Sequence, residues 1–158
     1  MDKICSLPLS YLTGSSDRLE INIDIKAFDI NTAEIQQLQS LPGIGNKRAT
    51  TIIKYRDKLG EFVQKAQYQE IYGLDSLPIS NMFQYTYIAT DFQPKKININ
   101  QASFQTLVAH PYLSYEKVKL ILNYRTKKGR FERIESLLGL NIIEKAVFEK
   151  LKPYLTVK

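Results

Sequence analysis

An internal repeat constrains the fold of this chain more than any other feature of its sequence. Residues 29–62 and 98–131 align without a gap at an offset of 69, and 12 of the 34 aligned pairs are identical. The shared residues include Pro42, Tyr55, Arg56, Gly60 and Phe62, matched by Pro111, Tyr124, Arg125, Gly129 and Phe131. Self-similarity on this scale indicates two copies of one folding unit.

Both copies carry the pattern of a short helix followed by a turn. Asn31 and Asn100 are predicted to cap this first helix, and Glu34 is placed to complete a capping box in the first copy. Ile35 and Leu38 are predicted to be its buried residues. A proline then ends the helix in each copy, because proline does not continue a helix interior.

The second helix of each copy has apolar residues spaced three and four apart, which place one stripe against a core. The stripe consists of Ala49, Ile52, Ile53 and Tyr55 in the first copy and Val118, Ile121, Leu122 and Tyr124 in the second. Gly60 and Gly129 follow the last turn, where a left-handed C-cap favours glycine. We therefore expect an all-α fold of two tandem helical modules.

Residues that alternate between apolar and polar predict short extended lead-in segments at 21–25 and 97–99. The first copy is expected to be two residues longer than the second near 77–80. The predicted organisation is an N-terminal arm at 1–27 that is partly extended or disordered, a first module at 28–90, a linker at 91–97 and a second module at 98–158.

The sharpest motif lies between the two helices of the first copy, where a Gly-apolar-Gly turn follows Pro42. Its glycines permit positive φ and close approach of another backbone, although the turn alone also explains them. The next helix presents unpaired N–H groups and the positive end of its dipole, which favour a phosphate. The predicted anion site comprises Gly43, Ile44, Gly45, Asn46, Lys47 and Arg48.

This motif resembles the helix-hairpin-helix family, specifically its bacterial ComEA-like competence modules. The match runs over residues 31–56, through Leu-Pro-Gly-Ile-Gly at 41–45 and Ile-Ile-Lys-Tyr-Arg at 52–56, and the likeness extends over 28–158. The resemblance implies tandem SAM-like helical modules that bind double-stranded DNA without sequence preference. Hairpin backbone amides would contact the phosphates. On this chain the contacts would fall on Gly43, Gly45 and Lys47, aided by Arg48.

The second copy departs from this pattern at its turn. Residues 110–114 contain neither glycine, and Glu116 stands where the first copy has Lys47. A carboxylate there repels a phosphate, so we interpret this hairpin as a structural relic. Leu113 keeps the apolar plug, and Ser114 is a good N-cap for the next helix.

The net charge of +6 is unevenly distributed. Residues 1–94 hold 9 Lys and Arg against 11 Asp and Glu, whereas residues 95–158 hold 13 against 5. A basic half favours polyanions such as nucleic acid or an acidic membrane surface, and it also serves solubility. Secondary contacts to the DNA backbone are predicted for Lys117, Lys119 and Arg125. The cations that follow, Lys127, Lys128, Arg130 and Arg133, either touch DNA as well or form a solvated face.

The sequence offers no catalytic constellation. Cys5 is the single cysteine, which excludes an internal disulfide and a Cys-based zinc site. The sequence contains no nucleophile elbow, no Walker-type loop and no set of His and Cys residues with the spacing of metal ligands. His110, the single histidine, is interpreted as a turn or capping residue. We predict a non-enzymatic protein with no catalytic residue, metal or cofactor.

Two functions remain open at this point. One is a DNA-binding module that grips the phosphate backbone; the other is a protein-interaction or scaffold module whose hairpins hold helices without nucleic acid. The resemblance also implies an extracytoplasmic location if an N-terminal anchor is missing from the chain, and a cytoplasmic one otherwise. No stretch approaches the ~18 consecutive apolar residues of a membrane span.

Overall fold

A computed structural model describes residues 24–158. The predicted arm at 1–27 therefore lies almost wholly outside the described residues, as does most of the extended segment predicted at 21–25. The first module contains β1 (Phe28–Asp29), α1 (Ile35–Gln39), α2 (Asn46–Leu59), a 3₁₀-helix (Lys65–Glu70), α3 (Ser76–Tyr85) and β2 (Thr86–Tyr87). The second contains β3 (Ile97–Asn98), α4 (Phe104–Val108), α5 (Tyr115–Lys128), α6 (Ser136–Gly139), α7 (Lys145–Leu151), a 3₁₀-helix (Lys152–Tyr154) and β4 (Leu155–Thr156). The prediction of a mostly helical tandem fold is confirmed.

The repeat persists at one offset through both modules. Strands β1 and β3, helices α1 and α4, α2 and α5, and α3 and α7, and strands β2 and β4 each begin 69 residues apart. The predicted two-residue length difference near 77–80 is therefore wrong. The two modules therefore share these elements in one order and at one spacing.

A two-stranded parallel pair closes each module. Strand β1 pairs with β2, with Phe28 opposite Thr86, and β3 pairs with β4, with Ile97 opposite Leu155. Each pair joins the first residues of a module to its last ones. The intervening helices are thereby held as one closed unit.

Asn31 and Asn100 do not cap a helix, contrary to the prediction. Helix α1 begins three residues later than expected, and Glu34 is its N-cap. The Asn31 side chain instead donates to the carbonyl of Phe62 at 2.9 Å and accepts from its N–H at 2.8 Å. Asn100 holds Phe131 in the same way, at 2.9 and 2.7 Å. These amides fasten the start of each module to the exit of its long helix.

Each module has its own apolar core. Fully buried members are Leu38, Ile52, Phe62 and Tyr68 in the first core and Leu107, Ile121, Phe131 and Leu151 in the second. Ile35, which is predicted to be buried, is 39% exposed, because α1 is a five-residue helix that turns only Leu38 inward. Tyr154 of the second module completes the first core.

Three consecutive carbonyls at the exit of α2 hold the second module. His110 Nε2 lies 3.0 Å from the Leu59 oxygen, and the Lys95 amide donates to the Gly60 oxygen at 3.1 Å. The Tyr154 hydroxyl donates to the Glu61 oxygen at 2.8 Å. The second module and the linker before it thus meet the first module through three directed hydrogen bonds, two from side chains and one from a backbone amide.

A partly buried polar network reinforces this junction. The Gln67 amide donates to the hydroxyls of Tyr112 and Tyr154, at 2.9 Å in each case. Glu70 accepts from Tyr55 at 3.0 Å, from Tyr112 at 2.6 Å and from Lys150 at 2.7 Å. No buried side-chain N or O atom in the described residues lacks a hydrogen-bond partner. A satisfied network of this kind fixes one arrangement of the modules.

Candidate nucleic-acid interface

The first turn, residues 41–45, joins α1 to α2. Gly43 adopts φ +82°, which a residue with a side chain rarely does. The Ile44 N–H donates to the Leu41 oxygen at 3.0 Å, and the Ile44 side chain is buried as predicted. Both glycines remain exposed on either side of it. The turn is therefore anchored by Ile44 and presents its glycine backbone to solvent.

Gly45 has no structural reason to be glycine. Its backbone, at φ −89° and ψ −176°, is open to any residue, and a Cβ built there meets no atom of residues 24–158 within 4 Å. The equivalent residue of the second module is Ser114, with nearly the same backbone angles. The conformation of the turn therefore explains the glycine at position 43 but not the glycine at position 45.

The missing side chain at Gly45 leaves the start of α2 uncapped. In the second module the Ser114 hydroxyl accepts from the Lys117 N–H at 3.3 Å, whereas α2 has no side-chain cap. The Gly45 N–H has no acceptor among residues 24–158. The first-turn N–H groups of a helix have no intrahelical partner, so those of α2 are available to an external acceptor.

The predicted cations at this turn have different positions. Lys47 is exposed and takes part in no ion pair within the described chain. Arg48 instead donates to the Gly43 oxygen at 2.8 Å and forms an ion pair with Asp75. Arg48 therefore holds the turn in place, and its charge is paired with Asp75 at the surface.

A companion turn, residues 71–75, lies beside the first turn and was missed in the sequence. Gly73 adopts φ +82°, as Gly43 does 30 residues earlier. The Asn81 amide of the following helix donates to the Pro42 oxygen at 2.8 Å, and Leu77 lies 3.4 Å from the Cβ position of Gly43. The repeated apolar-x-Gly-apolar order of 41–44 and 71–74 was the available signal.

The second-module turn, residues 110–114, contacts the first module through His110 and Tyr112, whereas Pro111 and Ser114 are exposed. Tyr112 is aligned with Gly43, but it does not share the positive φ of Gly43. The backbones of the two turns therefore differ. His110 is buried and Tyr112 half-buried, and both bind the first module. The residues of this hairpin, which the sequence analysis interprets as a structural relic, have a structural role in the module junction.

Burial sets the protonation state of His110. The Tyr112 N–H donates to its Nδ1 at 3.2 Å, so Nε2 carries the proton that reaches the Leu59 oxygen. Burial lowers the pKa of His110 to about 4, against a smaller raising effect of the Leu59 carbonyl. The junction therefore contains a neutral imidazole at neutral pH.

The three predicted secondary contacts all have partners within the second module. Lys117 pairs with Glu144 at 2.8 Å, and the Lys119 ammonium lies 5.2 Å from the centre of the Tyr115 ring. Arg125 donates to the Ala102 oxygen at 2.7 Å. Arg56 makes the equivalent bond to the Ala33 oxygen at 2.8 Å. Their contact with DNA stays a prediction.

The described residues show neither a metal cluster nor a bilayer-crossing helix. Within 24–158 no three His, Cys, Asp or Glu side chains come together as possible metal ligands. Over the same range no helix has the length and apolar character needed to cross a membrane.

Two helices joined by an exposed Gly-Ile-Gly turn define the helix-hairpin-helix class of protein. A family model for the helix-hairpin-helix motif matches residues 24–82 and 93–156. The chain therefore belongs to this family, with one match in each module.

Among known proteins, ComE operon protein 1 of Bacillus subtilis is 36% identical over 62 residues, covering 39% of this chain and 30% of that protein. An uncharacterized protein of Haemophilus influenzae is 45% identical over 47 residues, covering 29% of this chain and 42% of its own. These similarities support the predicted ComEA-like character.

A longer alignment extends to animal proteins. The endonuclease/exonuclease/phosphatase family domain-containing protein 1 of Xenopus laevis is 22% identical over 152 residues, which cover 84% of this chain. The chain spans 27% of the length of that relative. No solved structure gives a significant match. The prediction of a non-enzymatic protein therefore stays a prediction.

Proposed function

We propose that this protein binds the phosphate backbone of double-stranded DNA, without sequence preference, through the first turn and the start of α2. The observation that carries the proposal is Gly45. The fold does not require a glycine there, yet the missing side chain exposes the amide end of a 14-residue helix. A glycine at this position allows the backbone of a ligand to approach the amides closely.

The site favours a phosphate on two physical grounds. Unpaired N–H groups and the positive end of the α2 dipole both attract an anion, and the dipole contributes about 0.3–1 kcal/mol at an exposed site. The Lys47 ammonium, which forms no ion pair with residues 24–158, adds a positive charge at the same place. Phosphates are common to every DNA sequence, so such contacts position the protein and carry no sequence information.

Membership of the helix-hairpin-helix family and the similarity to ComE operon protein 1 support binding to nucleic acid. Binding rather than catalysis is part of the proposal. Backbone amides hold an anion but supply neither a nucleophile nor a general base.

The decisive test replaces Gly45 by the residue of the second module, as Gly45→Ser. Serine fits the backbone and caps helices well, so we expect the free energy of unfolding to change by less than about 0.5 kcal/mol. Its side chain occupies the space over the amides, so affinity for a 30-base-pair duplex should fall at least tenfold. Fluorescence anisotropy and chemical unfolding measure the two quantities. The matched control, Ser114→Gly, should leave DNA affinity unchanged.

A charge test complements the steric one. Lys47→Glu should weaken binding to duplexes of unrelated sequence to the same degree. The slope of log affinity against log salt should also become shallower by about 0.9 for each phosphate that the variant no longer neutralises. Unchanged affinity in both Gly45→Ser and Lys47→Glu would exclude this hairpin as a DNA site.

A protein-interaction role is the second candidate, and one observation favours it. Tyr72 in the companion turn is 93% exposed, and Leu77, which touches the first turn, is 58% exposed. Exposed apolar side chains grouped at one place mark interaction surfaces. If both hairpin variants bind DNA normally, Tyr72 and Leu77 define the surface to test against protein partners.

A further inference from the structure

The exit turns of the two long helices are equivalent in sequence position but not in environment. After α2, the carbonyls of Leu59, Gly60 and Glu61 are all bound by the second module or the segment leading into it. After α5, the aligned residues are 128–130. None of their carbonyls accepts a hydrogen bond from residues 24–158, and a Cβ at Gly129 meets nothing within 4 Å.

The residues at these exits differ as their environments do. Leu59 is fully buried, whereas its counterpart Lys128 is exposed, and Glu61 is replaced by an exposed arginine, Arg130. Residues 125–133 hold five cations and one carboxylate, whereas residues 56–64 hold two of each. The end of a repeat array needs a polar surface to remain soluble. That need explains why a polar residue, Lys128, replaces Leu59 in the second copy. It does not explain why most of the charges there are positive.

We propose that the basic exit turn, defined as Lys127, Lys128, Arg130 and Arg133, is a second contact for the DNA phosphate backbone. All four side chains are exposed, and none takes part in an ion pair among the described residues. Glu132 and Glu135 are the exposed carboxylates in the same segment, so a net positive charge remains. This inference rests on the proposed function, since it takes DNA as the ligand.

The basic exit turn is a site separate from the first turn. The first turn lies at the start of α2, and the basic exit turn lies at the end of α5. Between them, the end of α2 contacts the second-module turn, which lies at the start of α5. Two 14-residue helices in series, each about 21 Å long, keep the two sites within roughly 45 Å of each other. A 30-base-pair duplex is about 100 Å long, which exceeds this separation.

The test removes the four charges together, as Lys127→Gln, Lys128→Gln, Arg130→Gln and Arg133→Gln. Affinity for a 30-base-pair duplex at about 150 mM salt should fall at least tenfold. The salt slope should become shallower by about 2–4, because each phosphate neutralised by the protein accounts for about 0.9. Thermal unfolding should be unchanged, since all four side chains are exposed.

A matched control makes the same change in net charge elsewhere, at exposed lysines without ion pairs in the described chain: Lys26→Gln, Lys54→Gln, Lys145→Gln and Lys152→Gln. We expect its affinity to fall less than threefold with the same salt slope. An equal loss in both variants would overturn the proposal, because net charge alone would then explain it. Unchanged DNA affinity in the exit variant would also overturn the proposal. This holds even if the exit variant no longer binds anionic lipid vesicles, because the basic exit turn would then contact lipid and not DNA.

The two proposals fail separately. If Gly45→Ser binds normally and the exit variant binds weakly, the hairpin is not the DNA site and the exit contact stands. If Gly45→Ser binds weakly and the exit variant binds normally, the hairpin stands alone and the exit contact is rejected.

Discussion

The turns at 41–45 and 110–114 occupy the same place in two copies of one module, yet they face different surroundings. The first is open, with two exposed glycines and unpaired amides at the start of α2. The second is partly covered, with buried His110 and half-buried Tyr112 bound to the first module. Glycine stands at the turn open to solvent, and large side chains stand where the protein contacts itself.

This difference explains why the second module lacks the glycines. Two glycines give a neighbouring module nothing to bind, whereas an imidazole and a phenol provide directed hydrogen bonds to it. Within the second module, the His110 ring lies 5.1 Å, centre to centre, from the ring of Tyr154, which completes the first core. We infer that duplication allowed one hairpin to join the modules while the other stayed free for a ligand.

The largest expected effect compares Tyr154 with its counterpart Tyr85. Tyr154 is fully buried between the modules, and its hydroxyl bonds to both Gln67 and Glu61, whereas Tyr85 is half-buried. Tyr154→Ala should lower the free energy of unfolding by about 3–5 kcal/mol, as for large aromatic residues in cores. The loss of unfolding free energy in Tyr85→Ala should be smaller than that in Tyr154→Ala by at least about 1 kcal/mol.

Urea unfolding of both variants, followed by circular dichroism, measures this difference. Tyr154→Phe separates the hydrogen bonds from the ring, and we expect it to cost about 1–3 kcal/mol because two polar partners lose their bond. Equal losses in Tyr154→Ala and Tyr85→Ala would show that the module junction adds no stability of its own.

Local sequence patterns predict the parts of the fold that depend on neighbouring residues. The amphipathic stripe of α2, the buried plug Ile44 and the left-handed Gly60 after α2 are all observed. The prediction of Asn31 as a helix cap is wrong, because its partner Phe62 is 31 residues away. The role predicted for His110 is incomplete for the same reason, since Leu59 is 51 residues away. Single-residue signals do not show partners at such separations.

The next effect tests the covered turn through pH. In the folded protein the pKa of His110 is lowered to about 4 from the 6.5 of an exposed histidine. Between these values the unfolded chain binds more protons, so His110 contributes full stability above pH 6.5 and loses it as pH falls towards 4. The loss over this window should be roughly 2–3 kcal/mol. Protonation puts a hydrogen on Nδ1, where the Tyr112 N–H already points.

Nuclear magnetic resonance can follow this titration directly, because His110 is the only histidine. Unfolding of the wild-type protein and of His110→Gln, measured at several pH values, isolates the contribution from that of the carboxylates. We expect the wild-type protein to lose more stability than the variant between pH 6.5 and 4. A His110 resonance that titrates near pH 6.5 in the folded protein would show that the second-module turn is open.

The smallest effect concerns backbone strain at the exit of α2. Glu61 adopts φ +81° next to Gly60 at φ +83°, and its carbonyl is held by Tyr154, whereas Arg130 in the second module is not among the non-glycine residues with positive φ. A left-handed residue with a side chain costs about 1–2 kcal/mol, so Glu61→Gly should stabilise the protein by about 0.5–1 kcal/mol after the added flexibility of the unfolded chain is subtracted. Arg130→Gly should destabilise it slightly, because only the added flexibility acts there. Urea unfolding of both variants provides the measurement, and a loss of stability in Glu61→Gly would mean that the second module does not impose this conformation on the exit.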